Sequence, residues 1–346
     1  MDKVAQLASS HRGDLFVEAA ARRGNISAWV MEKDFWVCWI LRILFDKSFT
    51  TPGLIFKGGT SLSKVYHIIH RFSEDIDLSI DRKGLGFDRD REPMTANSRK
   101  QAVRLIAEMQ EAAIDYIQTT LVPALTDRVV SALGIPKDSA WSLEMDPADR
   151  QTILFRYPGG VYHQLGSKEI YIEPAVRIEL GCRGEFWPSE EQAIQCYAAE
   201  TIPELFTKST CQVHVLSVQR TFWEKATILH AEYHRPATSH TRPRLARHYY
   251  DMALLSQSQY CEQALKDLDL LAAVAQHKQV FFHSGWAQYA SACPGTLHLS
   301  PVSQRIPELR QDYQAMREMF FGNPPGFADI LTWIAALEKR INDLSV

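Results

Sequence analysis

Apolar and polar positions along the chain change period several times, and each change marks an element. Residues 1 to 24 carry helical character, and Asn25-Ile26-Ser27 then offers a cap before a stronger helical stretch from about Ala28 to Asp46, rich in Trp, Ile and Leu and expected in the core. Pro52-Gly53 turns the chain into the short apolar run Leu54-Ile55-Phe56-Lys57. The pair Gly58-Gly59 follows, and then Leu62, Val65, Tyr66 and Ile69 at helical spacing, which together predict strand, tight turn and helix start. From Phe72 the period drops to two: Phe72, Ile76, Leu78 and Ile80 share one face of a strand, and Ser73, Asp75, Asp77 and Ser79 share the other. Two carboxylates therefore point the same way.

Beyond the Asp75 strand, Asp81 to Arg99 is polar and charge-dense and reads as a solvated loop, and residues 98 to 134 read as helical up to the break at Gly134-Ile135-Pro136. Short strand-like runs follow at Thr152 to Arg156, Glu169 to Ile172 and Ala175 to Leu180, predicting a sheet that continues from the Asp75 strand. From Ser217 the pattern is almost entirely helical, interrupted by the proline-containing segment His234 to Arg244. The expected fold is therefore α/β (α+β): a mixed sheet flanked by helices, with a C-terminal helical lobe. An N-terminal lobe of residues 1–215, with core motifs over 27–181, and a helical lobe of residues 216–346 are the expected organisation.

Paired carboxylates on one strand face repel and raise each other's pKa unless a cation sits between them. A divalent metal removes the conflict. Mg²⁺ takes carboxylate oxygens, keeps several waters and is completed by substrate phosphates, while a glycine turn lets backbone N–H groups approach those phosphates. A Gly-Gly turn alone is more often an ordinary loop, and an Asp-x-Asp alone is often a solvated face. The order strand, Gly-turn, helix, strand makes the two one candidate site, with Asp75 and Asp77 as metal ligands for a nucleotidyl transfer. A third carboxylate is expected on a neighbouring strand. Glu179 alternates with Val176, Ile178 and Leu180 on a polar face, whereas Glu173 precedes Pro174, which interrupts a strand; a surface Glu179 paired with Arg177 is the competing reading.

At Phe56-Lys57-Gly58-Gly59-Thr60-Ser61-Leu62-Ser63-Lys64 and Arg71-Phe72-Ser73-Glu74-Asp75-Ile76-Asp77-Leu78 the chain resembles the AbiEii/AbiGii toxin family of nucleotidyltransferases, within the DNA polymerase beta-like superfamily. Glu32-Lys33-Asp34 is similar to the motif that precedes the Gly-turn in that family. Phe222-Trp223-Glu224-Lys225 and Arg247-His248-Tyr249-Tyr250-Asp251 are similar to its two later motifs, so the resemblance runs discontinuously over about residues 27 to 255. Candidate nucleotide contacts are Gly58, Gly59, Thr60, Ser61, Lys64 and Ser73, to which the resemblance adds Lys225 and Asp251. Spacing alone would make Lys225 a solvated flank of its helix, and Asp251 half of a surface pair with Arg247. The resemblance implies a Mg²⁺ (or Mn²⁺) dependent enzyme using an NTP, acting as the growth-inhibiting toxin of a type IV toxin-antitoxin pair in phage defence or stress. It also implies RNA, especially tRNA ends, as acceptor, and a separately encoded antitoxin as partner. Transfer to a protein side chain and a catalytically dead nucleotide- or RNA-binding module are the alternatives.

Composition narrows the rest. With 346 residues and 46% hydrophobic content the chain can bury a large core, and no run approaches the ~20 apolar residues of a membrane span. Met1-Asp2-Lys3 lacks the basic-then-apolar opening of a signal peptide, so a soluble, cytoplasmic protein is expected. The 6 cysteines are scattered without metal-ligand spacing and are expected to be reduced thiols. A net charge of −3 excludes a uniformly basic nucleic-acid coat, but Arg235, Arg242, Arg244 and Arg247, interleaved with His234, His240 and His248, form a local basic cluster that can bind nucleic acid or be a solvated loop.

Overall fold

The computed structural model describes residues 1–48, 52–136, 140–161 and 174–344. The chain divides into two compact units, the first comprising Met1–Val65, Phe72–Arg89 and Leu105–Val215, the second Tyr66–Arg71, Asp90–Arg104 and Leu216–Val346. The fold is a mixed α/β one: a central mixed sheet flanked by helices, and a C-terminal helical lobe.

The sheet of the first unit is built from β1 (Leu54–Lys57), β2 (Asp75–Ile80), β3 (Ser142–Asp146), β4 (Asp149–Arg156), β5 (Ala175–Gly181), β6 (Ser189–Gln195) and β7 (Thr210–Leu216), in the order β3-β4-β5-β2-β1-β7-β6. β1 runs antiparallel to β2 with Lys57 opposite Asp77, and β2 runs parallel to β5 with Asp77 beside Glu179. β4 is antiparallel to β5 and sets Thr152 beside Glu179. The alternation expected for residues 72 to 80 holds over part of that range: the strand begins at Asp75, Ile76, Leu78 and Ile80 are buried and Asp75 and Asp77 are partly exposed, but Ser79 on the polar face is buried as well. The expected run Glu169 to Ile172, together with Glu173, lies outside the described residues.

Helix Ala28–Leu44 is predominantly apolar, and even its charged residues Glu32, Lys33 and Asp34 are buried. Trp36 and Trp39 are fully buried, and their rings stack on Tyr157 at 5.6 Å and on Phe155 at 5.9 Å. Each such ring contributes on the order of 2–3 kcal/mol of burial, so this helix anchors the core of the first unit.

Three local departures from the sequence pattern have physical causes. The helix after β1 spans Gly58–Lys64 and does not continue through Tyr66 and Ile69, because His67 adopts φ 52, a left-handed conformation that no helix interior accepts. The stretch after Asp81 is not merely a solvated loop: Phe87 and Pro93 are buried, and Arg82 donates to Gly184 O and to Glu185. Between helices Arg99–Tyr116 and Val122–Leu133 the turn Ile117–Leu121 widens to a π-helix just before Pro123, a residue with no N–H to continue the α-helical ladder.

The second unit contains the helices Val218–Tyr233, Ala246–Gln257, Cys261–Leu265, Leu268–Phe281, Ile306–Ala315 and Phe327–Asn342. Ser217 caps the first of them by accepting a hydrogen bond from Arg220 N–H. On the same helix, buried His230 accepts from His298 N–H at Nδ1, so its Nε2 carries the proton toward Gln288 O, and both ring nitrogens are satisfied in the neutral form. Burial pushes its pKa down to about 4. An unfolded chain takes up a proton here near pH 6.5 that the folded chain refuses until about pH 4, so stability falls as pH is lowered through that window. The thermal midpoint should decline from pH 6.5 to 4, and His230→Gln should flatten the decline. An equally steep decline in His230→Gln would assign it to other groups.

Among the described residues no helix is long and apolar enough to cross a membrane, and Cys38, Cys182, Cys196, Cys211, Cys261 and Cys293 are free thiols, all but Cys293 buried.

Candidate active site

In the first unit, β1 leads into its helix through Gly58, which holds φ +78. A Cβ on Gly58 would lie 2.0 Å from Asp77 Oδ2, so only glycine lets the turn approach this carboxylate. Gly59 follows, half-buried, as the second residue of the helix. Thr60 Oγ1 donates to Asp75 O at 2.5 Å and lies 2.9 Å from Ser73 Oγ, while Ser61 Oγ donates back to Gly58 O at 2.8 Å. The hydroxyls of the first motif thus tie the Gly-turn to the start of β2, bringing Gly58, Thr60, Ser73, Asp75 and Asp77 together.

Register extends this row across the sheet. Lys57, Asp77 and Glu179 are lateral neighbours on β1, β2 and β5, and lateral neighbours share a face. Lys57 was not among the residues that spacing singled out. Its position opposite Asp77 depends on strand pairing, which periodicity within one strand cannot give. Arg177 lies among the carboxylates: its Nε is 4.0 Å from Asp75 Oδ1 and 3.9 Å from Glu179 Oε1, and its Nη1 donates to Asp146 at 2.7 Å. The expected third carboxylate and its competing partner Arg177 are therefore both present on this face.

The donor set suits a hard, oxygen-seeking cation. Asp75 and Asp77 supply carboxylate oxygens from one strand face, and the Asp77 carboxylate packs into the space that a Gly58 Cβ would need. Among the described residues no group of three His, Cys, Asp or Glu side chains closes into a metal cluster. A cation held here would need further ligands, such as the waters that Mg²⁺ commonly keeps.

Gly58→Ala should force Asp77 aside and add left-handed strain of about 1 kcal/mol. Transfer activity is expected to fall at least ~10-fold with the protein still folded by circular dichroism. A folded Gly58→Ala protein of normal activity would reduce the motif to an ordinary turn.

Lys64 is not brought to this row. It is buried, its Nζ 2.9 Å from Asp34 Oδ1 and 3.6 Å from the centre of the Tyr197 ring. Its neighbours in the Glu32-Lys33-Asp34 motif act similarly: Glu32 accepts from Gly160 N–H (2.6 Å) and Val161 N–H (3.1 Å), Lys33 pairs with Glu74 at 2.7 Å, and Asp34 accepts from Tyr197 N–H at 2.6 Å. Three successive residues on one helix diverge by about 100° each and so reach three different segments. One of these segments is the residue immediately before Asp75.

In the second unit, Lys225 and Asp251 are both buried, so neither is the surface residue that helical spacing alone predicts. Lys225 Nζ donates to Asp251 Oδ2 at 2.8 Å, and Arg71 grips the same carboxylate through Nε to Oδ1 (2.8 Å) and Nη2 to Oδ2 (2.9 Å). Burial by itself would push the Asp251 carboxyl up, but Arg71 and Lys225 outweigh it and hold the group well below the usual carboxylate range. Burial pushes the Lys225 ammonium down; Asp251 opposes this, and Arg71 and Arg247 add to it. His248 is held well below its ordinary value, first by burial and then by Lys225 and Arg247.

The basic cluster is not a uniform cationic face. Arg235 forks onto Glu232 at 2.5 and 2.6 Å and lies 4.4 Å over the Trp286 ring, and Arg242 Nε is 3.6 Å from Glu232. Arg242 and Arg244 are exposed, but the groove of about 360 Å³ beside them also presents Glu308 and Asp312.

A family model described as "Nucleotidyl transferase AbiEii toxin, Type IV TA system" matches residues 39–333 of the chain. Among solved structures, the chain is similar to MenT4, a nucleotidyltransferase toxin from Mycobacterium tuberculosis H37Rv, with 17% identity, a TM-score of 0.51, and coverage of 96% of this chain and 90% of that one. At that identity the likeness concerns the fold. No curated protein matches the chain.

Proposed function

Because the chain belongs to the AbiEii family of nucleotidyltransferase toxins, we propose that it transfers a nucleotidyl group from an NTP to an RNA acceptor, with tRNA ends as the preferred substrate, in a Mg²⁺-dependent reaction at Asp75 and Asp77. The observation that carries this reading is the shared face of Asp75 and Asp77 with the Gly58 turn packed against the second of them.

In the reaction the acceptor hydroxyl oxygen forms a bond to the α-phosphorus, the bond from that phosphorus to the bridging oxygen breaks, and pyrophosphate leaves. Bound Mg²⁺, or Mn²⁺, would neutralise charge on the phosphoryl oxygens and would be held by Asp75 and Asp77, with Glu179 as the neighbouring carboxylate. Glu179, half-exposed on the adjacent strand, is proposed to take the acceptor proton. Gly58 and Gly59 let backbone N–H groups approach the triphosphate, and Thr60, Ser61 and Ser73 keep the turn fixed against β2. Lys225 is proposed to supply a compact cation to the triphosphate, held by Asp251. Lys64, paired with Asp34, is proposed to serve the site by fixing the motif helix.

The toxin activity would be countered by a separately encoded antitoxin. Acceptor choice is tested by incubating the purified protein with each of the four labelled NTPs, total RNA and total protein. Label recovered in RNA supports the reading; label recovered in polypeptide would replace it with transfer to a side chain.

A further inference from the structure

We propose that Arg177 couples the divalent cation to the nucleotide: its charge, pinned beside Asp75 and Glu179, opposes a cation that arrives alone and favours one that arrives with a triphosphate. The proposal rests on the reading that Asp75 and Asp77 hold the cation. Register sets Arg177 on β5 beside Asp75 on β2, and Glu179 beside Asp77, so all four side chains lie on one face of the sheet. Every group concerned belongs to the first unit.

Arg177 meets three carboxylates in two different ways. Its Nη1 donates to Asp146 Oδ2 at 2.7 Å, a charge-assisted hydrogen bond. Its Nε is 4.0 Å from Asp75 Oδ1 and 3.9 Å from Glu179 Oε1, too far for a hydrogen bond but close enough for the charge to be felt. Asp146 is itself held: it ends β3 where the pairing with β4 shifts register, it is buried, and it accepts from Ala148 N–H at 2.9 Å. The guanidinium is thus tethered at Asp146 and lies beside the candidate metal ligands without an Nε hydrogen bond to either. Burial opposes its charge, but the hydrogen bond to Asp146 and the fields of Asp146, Asp75 and Glu179 outweigh burial and raise its pKa.

Carboxylates gathered on one strand face repel one another, and a cationic side chain among them relieves part of that repulsion. The same fixed positive charge repels a free divalent cation. A divalent cation complexed to a triphosphate carries net negative charge and is attracted instead. Removing the charge of Arg177 should therefore help the bare cation more than the complex. The Arg177 side chain is 41% exposed, so its replacement removes charge without opening the core.

The test titrates Mn²⁺ into the full chain, alone and with a saturating α,β-methylene NTP that cannot transfer its nucleotidyl group, and reads Kd from the electron paramagnetic resonance of free Mn²⁺. The variants are Arg177→Gln, Arg177→Met, Arg177→Lys and Asp77→Asn. Without nucleotide, Arg177→Gln should bind Mn²⁺ about tenfold more tightly than wild type, the order expected when a unit charge is removed about 4 Å from ligand oxygens at a partly screened site. With the analogue bound, variant and wild type should differ by less, so the ratio of Kd without nucleotide to Kd with it falls. Arg177→Met should behave in the same way and stands in if Arg177→Gln does not fold. Arg177→Lys keeps the charge and should stay within about threefold of wild type. A residue that only ties β5 to Asp146 would lower the thermal midpoint when replaced and leave the Mn²⁺ Kd where it was. Unchanged or weaker Mn²⁺ binding in folded Arg177→Gln or Arg177→Met, beside binding lost in Asp77→Asn, overturns the role of Arg177 alone. Wild-type Mn²⁺ binding in Asp77→Asn overturns the reading of the site on which it rests.

Discussion

Replacing either Asp75 or Asp77 by asparagine should lower nucleotidyl transfer by more than ~100-fold and leave the protein folded. Both side chains sit on the partly exposed face of β2, whose opposite face carries the core residues Ile76, Leu78 and Ile80, so the substitution removes charge without removing packing. Asn keeps the shape but not the carboxylate charge that a divalent cation needs. Transfer measured with Mg²⁺, alongside circular dichroism, decides the matter. Near-normal turnover in either folded variant would show that the paired carboxylates do not hold the metal.

The second large effect is expected at Lys225. Its replacement by Ala should lower kcat/KM for the nucleotide by on the order of 100-fold, while Lys225→Arg should recover only part of it, since the planar fork presents its donors differently from an ammonium. Breaking a buried pair commonly costs about 3–5 kcal/mol because it strands a charge, but here Arg71 still holds both oxygens of Asp251, so the Ala variant should remain folded. In cells, the wild type should arrest growth, and Lys225→Ala or Asp77→Asn at equal abundance should not. Growth arrest together with an unchanged transfer rate in Lys225→Ala would remove this lysine from the site.

The parts of the molecule legible in its sequence are those that depend on local period. The alternation of Asp75 and Asp77 with Ile76 and Leu78 is a property of one strand, and the stretch from Ala28, rich in Trp, Ile and Leu, needs no partner to be recognised as buried. Roles set by distant partners were not legible in this way. Lys225 looks like a flank residue until Asp251 is placed beside it, and Lys64 looks like a phosphate ligand until Asp34 is found 2.9 Å away. Lys57 joins the row of Asp77 and Glu179 only through the register of β1 on β2, and Arg71 joins Asp251 across 180 residues of sequence. Family resemblance marked Lys225 and Asp251 where periodicity favoured the surface, because a buried charge leaves no trace in hydrophobic spacing when its partner is remote.

Whether the chain moves a nucleotidyl group at Asp75 and Asp77 is decided by where each phosphorus of the nucleotide goes. Parallel reactions with α-labelled and γ-labelled NTP, total RNA and Mg²⁺ should place the α label in RNA and the γ label only in released pyrophosphate, with both signals lost in Asp77→Asn. Recovery of the γ label on the acceptor or as free monophosphate, or incorporation of the α label that persists in Asp77→Asn, would contradict it.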